Sequence, residues 1–322
     1  MDEPTFLRLE PPVDPDLIDK CCALWETTFH SPFDQARRAL AGDEPENRFV
    51  LRVALIDGEL AGTTEITTSG DDPAIGGVGE VAVPPKFRRR GIAERLFAES
   101  CNEFFIGGGE TLFLGTENPA AAHLYRKYGF RYIPSTLNMG CNKHGRIPDD
   151  VLYDYRHAAD DDRSIVHLSV RHRLQVIPFV MAPHEVMVVN RHSNYISTRH
   201  QRLHGCMSLF GRFAQAAEQG AVFVCESSNH RLIAIASVTL DQGIAEVDGC
   251  ALPGELESGK ATLEAAIGWA KEQGAHTMRF LAAKEDVVKL AWFQSLGMEW
   301  QESERTLNID GRDAPCLLGE LT

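Results

Sequence analysis

The chain has 322 residues, of which 43% are hydrophobic and 24% charged, and its formal net charge is −14. These values are ordinary for a globular protein, exclude a disordered or collagen-like chain, and leave room for two domains. The acidic surplus is shared by both halves, which argues against a nucleic-acid partner and favours cationic partners. No apolar run approaches the ~20 residues of a membrane helix, and the acidic start is unlike a signal peptide. We therefore expect a cytoplasmic protein without a membrane partner, whose eight cysteines are reduced and buried.

The first half of the chain alternates between the patterns of strands and helices. A strand is predicted at 6–10, helices at 15–29 and 33–41, and a strand pair at 48–57 and 59–69, joined by the turn Asp57-Gly58. The elements predicted next are a strand at 75–83, a helix at 91–105, a strand at 111–116, a helix at 119–128, and short strands at 130–133 and 135–140.

The same order recurs in the second half, with strands at 221–227, 231–240 and 244–252, a helix at 259–273, a strand at 277–283 and a helix at 286–296. Matching residues lie 166–170 positions apart, as Gly91 and Gly259 do. Such offsets over several elements predict a duplicated domain. We expect an N-terminal domain at 1–142, a linker at 143–163 with a short helix near 149–157 and an acidic run at 160–162, and a C-terminal domain at 164–322.

The segment from Glu80 to Ala93, with the sequence EVAVPPKFRRRGIA, carries the strongest chemical signal. A strand ends in a basic turn, and the turn opens a helix with the small residues Gly91 and Ala93 in its first turn. Small residues let backbone N–H groups approach an anion closely, and the helix N-terminus adds partial positive charge. The pattern suits a pyrophosphate, although it is neither a Walker loop nor a dinucleotide fingerprint. By itself, the run Arg88 to Arg90 also fits a solvated basic surface.

Two spaced motifs resemble the signatures of the GNAT superfamily of N-acyltransferases. Arg88-x-x-Gly91-x-Ala93 is similar to its acyl-CoA signature, and Asn118-x(6)-Tyr125-x(3)-Gly-Phe is similar to its second signature. The resemblance implies an α/β (α+β) fold with two GNAT-like domains, each a central mixed, mostly antiparallel sheet flanked by helices. It also implies that the N-terminal domain binds an acyl-CoA, in the first place acetyl-CoA, as co-substrate and needs no metal.

The family's cofactor contacts, carried over to this chain, fall on the strand end, the basic turn and the following helices. The main chain of the strand end would hydrogen-bond the pantetheine arm as an added strand does. The residues implied to bind the cofactor are Val81, Ala82, Val83, Arg88, Arg89, Arg90, Gly91, Ile92, Ala93 and Asn118. Tyr125 would act as general acid toward the departing CoA thiolate; its alternative is a core tyrosine on an amphipathic helix.

The acceptor side offers candidates for a general base and for a binding pocket. An ammonium acceptor must lose a proton before its nitrogen attacks the thioester, and the resemblance implies Glu80 as the base. Glu80 is alternatively a structural or substrate-positioning carboxylate, and Glu26 and His30 are further candidates for the base. The residues implied to line the acceptor pocket, unless they belong to the hydrophobic core, are Trp25, Phe29, His30 and Phe33.

The second repeat departs from both motifs. Leu256 replaces the first arginine, and Glu255 and Glu257 place negative charge where a pyrophosphate would lie. Gly259 keeps a tight helix start possible, but Phe293 replaces the tyrosine and removes the proton donor. We therefore expect the C-terminal domain to be degenerate and non-catalytic.

Seven of the twelve histidines lie between residues 157 and 204. His200 and His204 have the spacing of two ligands on one helix face, as in zinc sites, but no third ligand is evident and arginines crowd the region. We therefore expect a polar, partly solvated surface between the two domains in this segment and no metal site.

The sequence as a whole predicts an acyl-CoA-dependent N-acyltransferase, in the first place an acetyltransferase, that acts on a primary amine by direct transfer in a ternary complex. The acceptor would be a small-molecule or peptide amine, and the protein a monomer or homodimer. Two alternatives stay open: a CoA-binding regulatory or scaffold protein without turnover, and an acyl-CoA enzyme of altered chemistry, such as a decarboxylase or hydrolase.

Overall fold

The computed structural model describes residues 3–157 and 162–321. The chain divides into two compact units, one formed by residues 1–131 with 139–147 and the other by residues 132–138 with 148–322. The helix predicted in the linker is confirmed at Pro148–His157, whereas residues 158–161, with Asp160 and Asp161 of the acidic run, lie outside the described residues. The domain bounds 1–142 and 164–322 remain a proposal.

The first sheet and its helices follow the predicted order. Their bounds are β1 (Thr5–Leu9), α1 (Pro15–Phe29), α2 (Asp34–Ala41), β2 (Asn47–Ile56), β3 (Glu59–Ser69), β4 (Ile75–Ala82), α3 (Ile92–Ile106), β5 (Thr111–Gly115), α4 (Pro119–Lys127), β6 (Arg131–Tyr132) and β7 (Asn138–Asn142). A 3₁₀ turn, Pro85–Phe87, lies between β4 and α3.

Helices cover both faces of the first sheet, and the alternation of β2 decides which face each helix takes. Leu51 and Val53 of β2 belong to the apolar cluster that contains the buried residues of α1. Ala54 and Ile56 belong to the cluster that contains the start of α3. Because successive side chains of a strand point to opposite faces, α1 and α3 pack on opposite sides of the sheet.

The first sheet has seven strands in the order β1-β2-β3-β4-β5-β7-β6. The pairs from β1 to β4 are antiparallel, whereas β4 and β5 are parallel. The parallel pairing is confined to Ile75–Gly77 of β4 and Thr111–Phe113 of β5. From Val78 onward, β4 stays paired with β3 but not with β5.

The second unit repeats this architecture and adds elements of its own. The bounds are α5 (Pro148–His157), β8 (Arg163–His167), α6 (Val176–Met181), β9 (Val188–Asn190), β10 (Tyr195–Ile196), α7 (Leu209–Glu218), β11 (Gly220–Ser227), β12 (Leu232–Asp241), β13 (Ile244–Ala251), α8 (Leu256–Glu272), β14 (Thr277–Ala283), α9 (Val287–Gln294), β15 (Glu299–Ile309) and β16 (Arg312–Leu321). Its seven-stranded sheet, in the order β8-β11-β12-β13-β14-β16-β15, matches the first sheet strand for strand. The predicted fold class, two GNAT-like mixed sheets flanked by helices, is confirmed.

Two expectations about the second unit are corrected by the structure. The polar, partly solvated character expected of the segment 157–204 holds only near its ends: among its described residues His157, His167 and His204 are exposed, whereas the apolar run 174–189 is packed into this unit, where every residue of α6 is buried, as are His172 and His184. The helix predicted at 259–273 is present but begins earlier, at Leu256, so the tight start that Gly259 kept possible is not formed. Gly259 lies inside α8, and its N–H donates to the Glu255 carbonyl at 3.0 Å.

All eight cysteines are buried and unpaired, as predicted. None of the helices in residues 3–157 and 162–321 combines the length and the apolar character of a membrane span.

Candidate active site

The end of β4 presents a backbone edge that no strand of the described residues covers. β4 and β5 separate after Gly77, while β4 continues to Ala82. On its other side, β4 is held by β3, with Gly79 opposite Glu65 and Ala82 opposite Thr63. An extended ligand could therefore hydrogen-bond the main chain of Val81 and its neighbours as an added strand does.

A turn with unusual backbone geometry connects this edge to α3. Arg89 and Gly91 both have positive φ, 62° and 75°, and Gly91 is the N-cap of α3 without a side-chain cap. A Cβ placed on Gly91 would meet no atom within 4 Å, so the helix N-terminus faces open space. The N–H groups of a first helical turn have no partner within the helix, and they carry the positive end of its dipole.

The packing of α3 on β3 fixes the position of this turn. Gly62 of β3 lies so close to Ile92, the first residue of α3, that a Cβ at Gly62 would stand 2.8 Å from the Ile92 side chain. The Arg88 Nε donates to the Val83 carbonyl at 3.0 Å and ties the turn to the strand end. The helix start is thus held directly beside the end of β4.

The turn also holds three exposed arginines, Arg88, Arg89 and Arg90. Within the described residues, no carboxylate lies at ion-pair distance from any of them, although the neighbouring Lys86 pairs with Glu59. The turn with these three guanidinium groups and the adjoining N-terminus of α3, here called the arginine cradle, offers positive charge to a dianion such as a pyrophosphate. These observations fit the acyl-CoA site implied by the sequence.

The second motif forms α4. Asn118 is the N-cap of this helix: its Oδ1 accepts a hydrogen bond from the Ala120 N–H at 2.9 Å. Only the NH₂ group of its carboxamide is then left to donate to a ligand. Asn118 is exposed, as a residue that binds pantetheine must be.

Tyr125 lies on the buried face of α4, against the ring of Phe97 at a centroid distance of 4.8 Å and near Phe130 at 6.2 Å. None of the described residues forms a hydrogen bond with its hydroxyl. Burial raises the pKa of Tyr125 above its usual range, so the hydroxyl keeps its proton at neutral pH. The ring of Tyr125 thus belongs to the core, as the alternative interpretation of this residue expects. Its hydroxyl carries a proton that no described residue accepts.

Glu80 lies at an irregularity in β4. Its φ is +52°, and the register between β3 and β4 shifts between Thr63 and Glu65, which places an extra residue on β4. Its carbonyl accepts a hydrogen bond from the Thr63 hydroxyl at 2.6 Å, and the Thr63 oxygen accepts one from the Trp25 indole N–H at 2.9 Å. Thr63 was not among the predicted residues, because its role depends on the register of two strands, which no local pattern in the sequence reveals.

Of the four residues implied to line the acceptor pocket, Trp25, Phe29 and Phe33 form one aromatic group between the end of α1 and the start of α2, and the four differ in exposure. Trp25 is fully buried in the core. Phe29 is 43% exposed and His30, which ends α1 in the left-handed conformation, is exposed as well. Phe33 connects the two, with its ring 5.5 Å from that of Trp25 and 5.8 Å from that of Phe29. Phe29, His30 and Phe33 therefore have surface to offer an acceptor, whereas Trp25 would have to move to contact one.

The corresponding region of the second unit is filled. A Cβ on Gly259 would stand 2.7 Å from the Trp292 ring and 2.8 Å from the Ala251 Cβ, so α8 packs tightly where the first unit is open. Phe293, at the position of Tyr125, is fully buried against Phe280.

Two buried carboxylates of the second unit are also already bound. Asp248 of β13 forms a fully buried ion pair with Lys289, at 2.7 Å. Asp286, at the position of Asn118, accepts hydrogen bonds from the N–H groups of Met187 and Val188, at 2.8 and 3.2 Å. Met187 and Val188, here called the β9 segment, thus bind the Asp286 carboxylate that a ligand would otherwise need. The described residues contain no group of three or more His, Cys, Asp or Glu side chains suited to a metal ion.

Residues 16–130 match the family model described as Acetyltransferase (GNAT) family. A putative GNAT acetyltransferase from Desulfovibrio desulfuricans is 17% identical, covering 44% of this chain and 99% of its own, with a TM-score of 0.36. ElaA from Escherichia coli is 17% identical to this chain, and the match covers 44% of this chain and 100% of ElaA, with a TM-score of 0.36. YncA, a putative acetyltransferase from Salmonella typhimurium solved with its cofactor acetyl-CoA, is 14% identical to this chain. The match covers 50% of this chain and 94% of YncA, with a TM-score of 0.38.

No curated protein matches the chain at a significant level. The family match spans α1 to α4 and ends at Phe130, so it contains both motifs, the open edge of β4 and the arginine cradle. Residues 16–130 of this chain are therefore a domain of the GNAT acetyltransferase family.

Proposed function

We propose that the first unit binds acyl-CoA, with acetyl-CoA as the donor to test first, and transfers the acyl group directly to a primary amine. The observation that carries this proposal is the open edge of β4 leading into the cradle at Gly91, where three arginines have no carboxylate partner among the described residues. The edge suits the pantetheine arm and the cradle suits the pyrophosphate.

The catalytic roles fall on Glu80 of β4 and Tyr125 of α4. Glu80 accepts the proton that the acceptor ammonium must lose before its nitrogen attacks the thioester carbon. Tyr125 donates its proton to the sulfur as the carbon–sulfur bond breaks, and its raised pKa ensures that the proton is present at neutral pH. Main-chain N–H groups of β4 stabilise the negative charge that develops on the thioester oxygen.

Two other functions use the same cofactor site. A regulatory or scaffold protein would bind CoA without turnover, and a hydrolase would release thiol without an amine. Tyr125 favours the transferase over the scaffold, because mere binding of CoA gives no reason for an unpartnered hydroxyl on a buried face of α4. The acceptor is a small-molecule or peptide amine in this proposal.

The test is a screen of amines with acetyl-CoA, followed by thiol release and by mass spectrometry of the acetylated product. We expect thiol release that depends on an amine and yields one acetylated amine per thiol. Initial rates with both substrates varied should give intersecting double-reciprocal lines, as direct transfer in a ternary complex requires. Thiol release without an amine would support the hydrolase instead, and CoA binding without thiol release under any condition would support the scaffold.

A further inference from the structure

A buried chain of hydrogen bonds ends at the backbone of Glu80. The Trp25 indole N–H donates to the Thr63 hydroxyl oxygen at 2.9 Å, and that hydroxyl donates to the Glu80 carbonyl at 2.6 Å. Trp25 and Thr63 are both fully buried, so water does not compete for these bonds. An indole N–H can only donate, and it therefore occupies a lone pair of Thr63 and leaves the hydroxyl proton to Glu80.

The Glu80 backbone needs such support. Its φ of +52° lies in the left-handed region, which residues with a Cβ adopt rarely and at a cost in free energy. The residue also lies in the bulge of β4, where the regular hydrogen-bond ladder to β3 is interrupted. The Thr63 hydroxyl thus binds the carbonyl where the ladder is irregular.

The direction of this carbonyl determines the direction of the next N–H group. The Glu80–Val81 peptide is trans, and in a planar trans peptide the C=O and the N–H point in opposite directions. Because the Glu80 carbonyl points toward the Thr63 hydroxyl, the Val81 N–H points away from that hydroxyl. Val81 has no register partner on β3, and β5 has already separated from β4 at this point, so neither neighbouring strand is paired with this residue.

We propose that Trp25 and Thr63 are positioning residues, which hold the Glu80–Val81 peptide so that the Val81 N–H donates to the acyl carbonyl oxygen during transfer. This inference rests on the proposed function. It also gives Trp25 a role that its complete burial permits, since the indole acts through Thr63 and needs no contact with the acceptor.

The test compares variants of two adjacent threonines. Thr63→Val removes the hydroxyl at nearly constant volume, and Thr64→Val is the matched control: Thr64 is equally buried, but its hydroxyl donates to the Thr63 carbonyl at 2.8 Å and not to Glu80. We expect Thr63→Val to lower kcat about tenfold to 100-fold, with the KM for acetyl-CoA little changed. This is less than the roughly 10²- to 10³-fold loss on removing an oxyanion donor, because the Val81 N–H remains but is no longer held in place. Thr63→Ser should restore most of the rate, and Thr64→Val should keep the wild-type kcat.

A second variant covers the case in which Thr63→Val does not fold. Trp25→Phe keeps an aromatic ring but removes the indole N–H, and it should lower kcat with the KM values for both substrates unchanged. Thermal unfolding of each variant, compared with Thr64→Val, separates a loss of stability from a loss of rate. Equal kcat values for Thr63→Val and Thr64→Val, or a Trp25→Phe defect confined to the amine KM, would overturn the positioning role alone. A wild-type protein without amine-dependent turnover would instead overturn the proposed function.

Discussion

Tyr125 combines two properties that rarely occur in one tyrosine. Its ring packs against Phe97, while its hydroxyl has no hydrogen-bond partner among the described residues. The ring is buried, but the hydroxyl oxygen is not among the buried side-chain atoms that lack a partner, so it is accessible and a ligand can accept its hydrogen bond. Phe293, at the same place in the second unit, shows that this fold accommodates a ring there without a hydroxyl.

Tyr125→Phe should therefore keep CoA affinity and lower kcat by roughly tenfold to 10⁴-fold, because it removes only the proton donor. The phenyl ring preserves the contacts with Phe97, so thermal stability should be unchanged. The measurements are calorimetric titration with CoA and steady-state kinetics at saturating substrate. An unchanged kcat with chemistry as the rate-limiting step would make Tyr125 purely structural.

His184 is a buried histidine whose neutral form is built into the second unit. Its Nε2 lies 2.7 Å from the Phe179 carbonyl and its Nδ1 lies 3.4 Å from the Cys250 sulfur. The neutral ring can donate to the carbonyl and accept from the thiol. Burial lowers the pKa of His184 to about 4, against the opposing effect of the hydrogen bond to the Phe179 carbonyl.

This lowered pKa predicts how stability depends on pH. Between pH 6.5 and about 4 the unfolded chain binds a proton at His184 that the folded chain excludes, so the free energy of unfolding should fall as the pH falls through this range. His184→Gln should reduce the loss in unfolding temperature between pH 7 and pH 4.5. It should not abolish the loss, since burial also lowers the pKa of His192 to about 4. His276→Gln, at an exposed position, is the control; parallel pH profiles for the two variants would refute the role of His184.

At the scale of elements, the start of α3 and the end of β4 act together. Gly62 permits the close approach of α3 to the sheet, and Gly91 leaves the helix N-terminus open. The second unit lacks this arrangement, because α8 begins earlier and Glu255 is its N-cap. A helix start can bind an anion only where the chain leaves its N–H groups accessible.

Gly91→Glu should abolish binding of CoA, because it places bulk and negative charge in the cradle. It also introduces a Cβ at a φ of 75°, which costs about 1 kcal/mol of stability in its own right. Gly108→Glu is the matched control: Gly108 lies beyond the other end of α3, has a φ of 100°, and likewise has no atom within 4 Å of an added Cβ. Acetyl-CoA should raise the unfolding temperature of Gly108→Glu but not of Gly91→Glu. If acetyl-CoA raised the unfolding temperature of both variants, the cofactor would not bind at this turn.

At the scale of the whole molecule, the sequence predicted those features that depend on local patterns and on repetition. The duplicated order of elements and the start of α3 after Gly91 were confirmed, because strand alternation, helix periodicity and positive-φ glycines are visible in the sequence. The bond between Thr63 and Glu80 was not predictable, since it depends on the register of a bulged strand pair. The early start of α8 was missed because nothing between Leu256 and Gly259 marks where the helix begins.

The filled region of the second unit leads to a prediction about the whole chain. The Asp248–Lys289 pair is completely buried, and a ligand that engaged one of the two residues would leave the other charge buried without its partner. Trp292 also occupies the space beside Gly259, and the acidic Glu255 lies at the helix start. The chain should therefore bind one acyl-CoA, in the first unit.

Calorimetric titration with CoA should give one site per chain for the wild-type protein and none for Gly91→Glu. The variant distinguishes one site from two. If both units bound CoA independently, the substitution would lower the number of CoA molecules per chain from two to one; if only the first unit binds CoA, the number falls from one to zero. A crystal structure with CoA locates the ligand directly, and we expect it beside Gly91 and the end of β4. Residual binding of one CoA by Gly91→Glu, or CoA seated beside Gly259, would show that Trp292 and the β9 segment move aside and that the second unit has kept a cofactor site.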